Sequence, residues 1–143
     1  KIALDVVLLA QSEVAEVAES ASGGRSSSMA HKRNPARAVE ARAAYAGAVA
    51  QAGLLLGSLA GEHERAAGSW QAEWTAVSEV FRLAGGAVAR ATESLAGLRV
   101  DTARMRTNMA LGEGGVGGPG PARAIVDRVL QSYENRAGRE EER

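Results

Sequence analysis

Three adjacent hydroxyls, two cations, a histidine and an asparagine are crowded into one short segment, Gly23-Gly24-Arg25-Ser26-Ser27-Ser28-Met29-Ala30-His31-Lys32-Arg33-Asn34-Pro35. The serines are potential proton carriers. A serine works as a base only where its alkoxide is stabilised, and neighbouring cations and backbone N–H groups do that. Lys32 and Arg33 supply the positive charge, and Asn34 adds a side-chain donor. Asn34-Pro35 also reads as a helix start, with Asn at the N-cap and Pro at the first helical position. The free N–H groups and positive end of that helix would add to the donor set. These residues together suit a carboxylate with a serine beside it. His31 is either a general acid or a polar loop residue.

The elements that position this loop read as helices. Residues 2–20 form one helix by spacing, with Val6, Val7, Leu9, Ala10, Val14 and Val17 recurring at three- and four-residue steps and Glu13, Glu16 and Glu19 toward the other side. Residues 21–30 break the period. A long helix rich in Ala and Gly runs from Pro35 to about Ala60, and its small residues allow neighbouring backbones to approach closely. A second extends from Trp70 to Gly97, with Val77, Val80, Phe81, Ala84, Val88, Ala91, Leu95 and Leu98 on one stripe. Asp101 caps a short helix through Met109, and no strand is expected. The stretch Gly112–Pro121 holds six glycines and two prolines and reads as a linker. Pro121 then opens an amphipathic helix with Ala122, Ile125, Val126, Val129, Leu130 and Tyr133 on one face, and a frayed charged tail follows from Arg136.

The loop resembles the fumarase/aspartase superfamily motif Gly-Ser-Ser-x-Met-Pro-x-Lys-x-Asn-Pro, with Ser26, Ser27, Met29, Lys32, Asn34 and Pro35 in register. Arg25 stands where the family has Gly, and Ala30 where it has Pro. These changes remove one conformationally free position and one rigid one, unless Gly23-Gly24 takes over as hinge. The resemblance implies an all-α, long-helix bundle with a reduced C-terminal helical region. Residues 1–98 belong to the central bundle with the serine loop at 21–35, and residues 99–143 form the reduced part. It further implies that Ser26 is the proton-abstracting base and Ser27 a hydrogen-bond donor. Lys32 and Asn34 hold a substrate carboxylate and its enolate-like intermediate, and Met29 and His31 line the same site.

Within the superfamily, Glu62-His63-Glu64-Arg65-Ala66 followed by Trp70-Gln71-Ala72-Glu73-Trp74 resembles the 3-carboxy-cis,cis-muconate cycloisomerase branch. Val39 agrees, because fumarases and adenylosuccinate lyases carry Glu there. Arg65 is either a further cation for a tricarboxylate substrate or a surface partner of Glu62. The pair Trp70 and Trp74 either pack together or stack on substrate. The branch implies lactonisation in aromatic-acid catabolism through proton transfer alpha to a carboxylate, with no cofactor and no metal. It also implies a cytoplasmic homotetramer whose active sites draw on three subunits. Rivals are adenylosuccinate lyase, another superfamily lyase, or a non-catalytic helical paralogue. The chain opens at Lys1 directly on apolar residues and reads as a C-terminal segment, so the other site residues are expected upstream and the isolated chain is expected to turn over little.

The bulk composition fits this reading. Of 143 residues, 45% are hydrophobic, 24% charged and only 3% aromatic, so the core must be aliphatic and small. Lys and Arg number 17 against 17 acidic residues, which argues against nucleic acid or an anionic membrane as partner. The absence of cysteine removes disulfides and thiolate chemistry and is compatible with a reducing compartment. Two histidines without a third ligand at suitable spacing do not make a zinc site.

Overall fold

The computed structural model of the chain describes residues 1–20, 34–64, 66–111 and 121–141, with side chains up to residue 135 in the last stretch. Among these, five helices and one short strand pair follow in the order α1 (Ile2–Leu9), β1 (Val17–Ala18), α2 (Ala36–Ser58), α3 (Ser69–Ala96), β2 (Arg99–Val100), α4 (Thr102–Leu111) and α5 (Ala122–Glu141). The chain divides into two compact units, Lys1–Arg106 and Thr107–Arg143. No described helix is long and apolar enough to cross a membrane.

The first helix is much shorter than its spacing predicts. Helix α1 stops at Leu9, and the chain turns back so that Val17 pairs antiparallel with Val100 and Ala18 with Arg99. Four hydrogen bonds help to hold the turn. The Glu16 N–H donates to the Leu9 carbonyl at 2.9 Å, and the Asp101 N–H to the Glu16 carbonyl at 2.8 Å. Arg104 donates to the carbonyls of Val14 (3.1 Å) and Glu13 (2.9 Å). Ala15 takes a left-handed φ of 52°, an unfavourable conformation for a residue with a Cβ. Val14 and Val17 continue the helical period by coincidence. Both are β-branched, and Val17 reaches the apolar cluster from a strand instead.

That cluster is small. Val6, Val17 and Ala38 are buried at its centre, with Ala3, Val7, Leu9, Ala10, Leu98 and Met105 packed around them. Burying one valine contributes about 1.5–3 kcal/mol, so each member matters. Asp101 supports the cluster from outside by capping α4, its carboxylate accepting the Arg104 N–H at 2.9 Å, as the sequence predicts. Asp101→Ala should therefore cost about 1 kcal/mol, measured as a lower urea midpoint at unchanged m-value.

Helices α2 and α3 pack along each other through small side chains. Ala38, Ala41 and Ala48 of α2 and Ala76 and Ser94 of α3 are buried. A Cβ on Gly47 would lie 3.0 Å from Leu83 Cδ1, so the glycine sets how closely the helices approach. Close approach through Ala and Gly leaves several of the bulky stripe residues outside. Val77, Phe81, Val88 and Leu95 are exposed, whereas Glu73, Ala76, Val80, Leu83, Ala87, Ala91 and Ser94 lie on the more buried side. The connection between the helices is also tight, since a Cβ on Gly61 would stand 2.5 Å from that of Ala66. Gly68, at φ 95°, enters α3, and its N–H donates to Gln71 Oε1 at 2.9 Å.

In the second unit, α5 continues through Glu141, beyond the Arg136 at which fraying is expected. Its terminal Arg and Glu residues are good helix formers. The apolar face of Ile125, Val126, Val129, Leu130 and Tyr133 is exposed.

Candidate functional site

The start of α2 is where the structure meets the motif, and its capping differs from the sequence expectation. Pro35, not Asn34, occupies the N-cap position, and it makes no side-chain cap. Helix α2 has no acidic residue in its first turn. Glu19 supplies the missing charge from across the chain. Its Oε2 accepts the Arg37 N–H at 3.1 Å and its Oε1 the Ala38 N–H at 2.9 Å. The same Oε1 accepts the Ser94 hydroxyl at 2.6 Å, and Ser94 is only 2% exposed. The Ala36 N–H donates to the Asn34 carbonyl at 2.9 Å and the Val39 N–H to the Pro35 carbonyl at 3.0 Å. The first-turn donors are thus engaged within the protein. The expectation that they serve a substrate carboxylate is corrected: a protein carboxylate already occupies the positive end of the helix.

Around this turn lies an ion-pair network. Arg37 meets Glu93 at 2.6 Å, Arg90 meets Glu93 at 2.7 Å, and Arg90 meets Glu40 at 3.1 Å. These side chains are partly exposed, so each pair contributes at most about 1 kcal/mol. A hollow of about 600 Å³ opens beside them, lined by Gln11, Ser12 and Glu13 from the turn after α1 and by Asn34, Val39 and Glu40 from the start of α2. Asn34 is exposed at this hollow. Glu79 is held below its ordinary carboxylate value by its hydrogen bond to Arg82, and it is not among the lining residues.

No family model matches the chain. A nitrosuccinate lyase from Streptomyces davaonensis is 50% identical over 113 residues, covering 78% of this chain and 24% of the relative. A 3-carboxy-cis,cis-muconate cycloisomerase from Pseudomonas aeruginosa is 40% identical over 142 residues, covering 98% of this chain and 29% of the relative. The solved 3-carboxy-cis,cis-muconate lactonizing enzyme of Pseudomonas putida superposes with a TM-score of 0.68 at 38% identity, over 76% of this chain and 25% of that one. The chain belongs to the fumarase/aspartase superfamily. It spans 24% and 29% of the length of these two relatives.

For this superfamily the motif residues divide by what is described. Ser26, Ser27, Met29, His31, Lys32 and Arg65 lie outside the described residues. Asn34 and Pro35 are placed, and Asn34 faces the hollow. His63 sits in an exposed bend with φ 57°. Trp70 and Trp74 meet edge to face, with centroids 5.2 Å apart and planes at 82°, so each packs on the other. Sequence reasoning missed Glu19 and Ser94. Their signal was indirect: a helix opening Ala36-Arg37-Ala38-Val39 carries no acid of its own, so its positive end calls for one from elsewhere.

Proposed function

We propose that the chain carries the serine-loop portion of a 3-carboxy-cis,cis-muconate cycloisomerase. In this reading one substrate carboxylate adds through oxygen to a double bond. A proton is delivered to the carbon alpha to another carboxylate, or removed from it in the reverse direction. Ser26 handles that proton, and Ser27 steadies it by a hydrogen bond. Lys32 and Asn34 stabilise the enolate-like charge that forms on the carboxylate, where preorganised donors act most strongly. His31, Met29 and Arg65 complete the contacts to a small tricarboxylate. The observation that carries the reading is the motif in register from Ser26 to Pro35, running directly into Asn34 at the hollow.

A second reading is favoured by the 50% identity to a nitrosuccinate lyase. Nitrosuccinate is also a carboxylate-bearing substrate. Removing a proton alpha to one of its carboxylates and expelling nitrite from the neighbouring carbon would use the same serine and the same charge-stabilising pair. Assay of a full-length polypeptide carrying this chain separates the two. Lactonisation consumes the conjugated diene, and the lyase reaction releases nitrite. Nitrite release with no loss of diene would sink the first reading.

The proposal extends to assembly. Phe81 is 76% exposed, Val88 67% and Leu59 79%, which is more exposed apolar surface than helices of a lone chain usually carry. Self-association into the superfamily's homotetramer would cover it and bring in site residues from other subunits. Accordingly, the isolated 143-residue chain should show little or no turnover. Phe81→Asp with Val88→Asp should shift the full-length protein toward smaller species in sedimentation velocity.

A further inference from the structure

We infer that Glu19 is the residue that positions Asn34, and that it does so by occupying the positive end of α2 itself. Glu19 follows β1 by one residue, and β1 is fixed by its pairing with Arg99 and Val100. Arg104 secures the turn before it through the Val14 and Glu13 carbonyls. From that anchored strand the carboxylate reaches the Arg37 and Ala38 N–H groups and the buried Ser94 hydroxyl. One side chain thereby ties β1, α2 and α3 together at the turn that begins with Asn34. The Asn34 carbonyl accepts the Ala36 N–H at 2.9 Å next to the clamp, which ties the Asn34 backbone to that turn. A consequence for recognition follows. With the helix end already neutralised by a protein carboxylate, a substrate carboxylate at this hollow must be held by side chains, Asn34 among them. Gly97 belongs to the same device, since a Cβ there would meet Ser20 Oγ at 2.5 Å, beside Glu19.

The structural part is tested on the full-length protein by amide hydrogen exchange and NMR. In Glu19→Ala the Arg37 and Ala38 amides should exchange at least about tenfold faster, as expected for a lost charged hydrogen bond, and the Asn34 side-chain amide resonances should move. Amides from Ala41 to Ala48 should keep their protection. Unchanged exchange at Arg37 and Ala38 with Asn34 unmoved would overturn the inference. Should the alanine variant not fold, Glu19→Gln and Ser94→Ala replace it, each expected to show a smaller effect of the same sign.

The functional part rests on the proposed reaction and is read in the full-length protein. Glu19→Ala should lower kcat about 10- to 100-fold, the scale of a small misplacement of a catalytic group, with a smaller change in KM. Leu83→Ala, which weakens the packing of α3 on α2 at Gly47 without touching the clamp, should leave kcat in place. Equal losses in both variants, or none in Glu19→Ala, would reduce Glu19 to a fold-stabilising residue and overturn its positioning role. If Ser26→Ala keeps full turnover, the serine-loop reading fails, and the exchange and Asn34 shifts alone decide Glu19.

Discussion

Ser26→Ala in the full-length protein is expected to lower kcat for lactonisation about 10³-fold, within the range a positioned proton carrier supplies, while KM changes little. The split follows from the division of labour in the motif. In the proposed reaction Ser26 acts on the proton in the transition state, whereas Lys32 and Asn34 would bind the substrate carboxylate before and during the step. Removing only the hydroxyl leaves binding in place and removes an interaction made in the transition state. Ser27→Ala should cost less, because it removes a hydrogen bond and not the carrier. Steady-state kinetics with the diene absorption as signal measure both, and retention of more than about a tenth of the wild-type kcat in Ser26→Ala would take the serine out of the mechanism.

The long helices were legible because their boundaries are written in local chemistry. Pro35 ends the irregular stretch within one residue of the start of α2, and Asp101 caps α4 where it stands in the sequence. The turn after α1 was not legible. Its spacing is helical, and two of the groups that hold the turn, the Asp101 N–H and the Arg104 side chain, lie far along the chain and are invisible to any local pattern. The packing face of α3 was not legible for a related reason. Its bulky stripe suggests a core, but Ala76 and Ser94 make the contact with α2, because small residues permit the closer approach.

The same logic explains why the motif was readable and its support was not. The motif is contiguous from Ser26 to Pro35, so its chemistry can be listed from residue types alone. The support is spread over residues distant in sequence: Ser94 donates to Glu19, and Arg104 to the Val14 carbonyl in the turn before β1, which pairs with β2. Glu19 looks like one of three glutamates on a solvated helix face, alongside Glu13 and Glu16. Only the end of α1 at Leu9 frees the chain to carry it to the start of α2. A sequence pattern thus names the groups that act, while the fold decides which other groups hold them.

Ala38→Leu should be the most damaging single change to this unit. Ala38 is 0% exposed, it packs with Val6 and Val17, and its own N–H donates to Glu19 at 2.9 Å. Three additional carbons there have no space, and overpacking of this kind costs about 1–3 kcal/mol. That is a large share of a total stability of about 5–15 kcal/mol. Relief comes from outward movement of the first turn of α2, which would lengthen the Glu19 bond and shift Asn34. The urea midpoint should therefore fall, at unchanged m-value, and kcat of the full-length protein should fall with it. Ala43→Leu, the same substitution at an exposed position of α2, should alter neither. An Ala38→Leu protein with the wild-type midpoint would mean that the first turn of α2 yields freely, and a turn that yields freely could not hold Asn34 at the hollow.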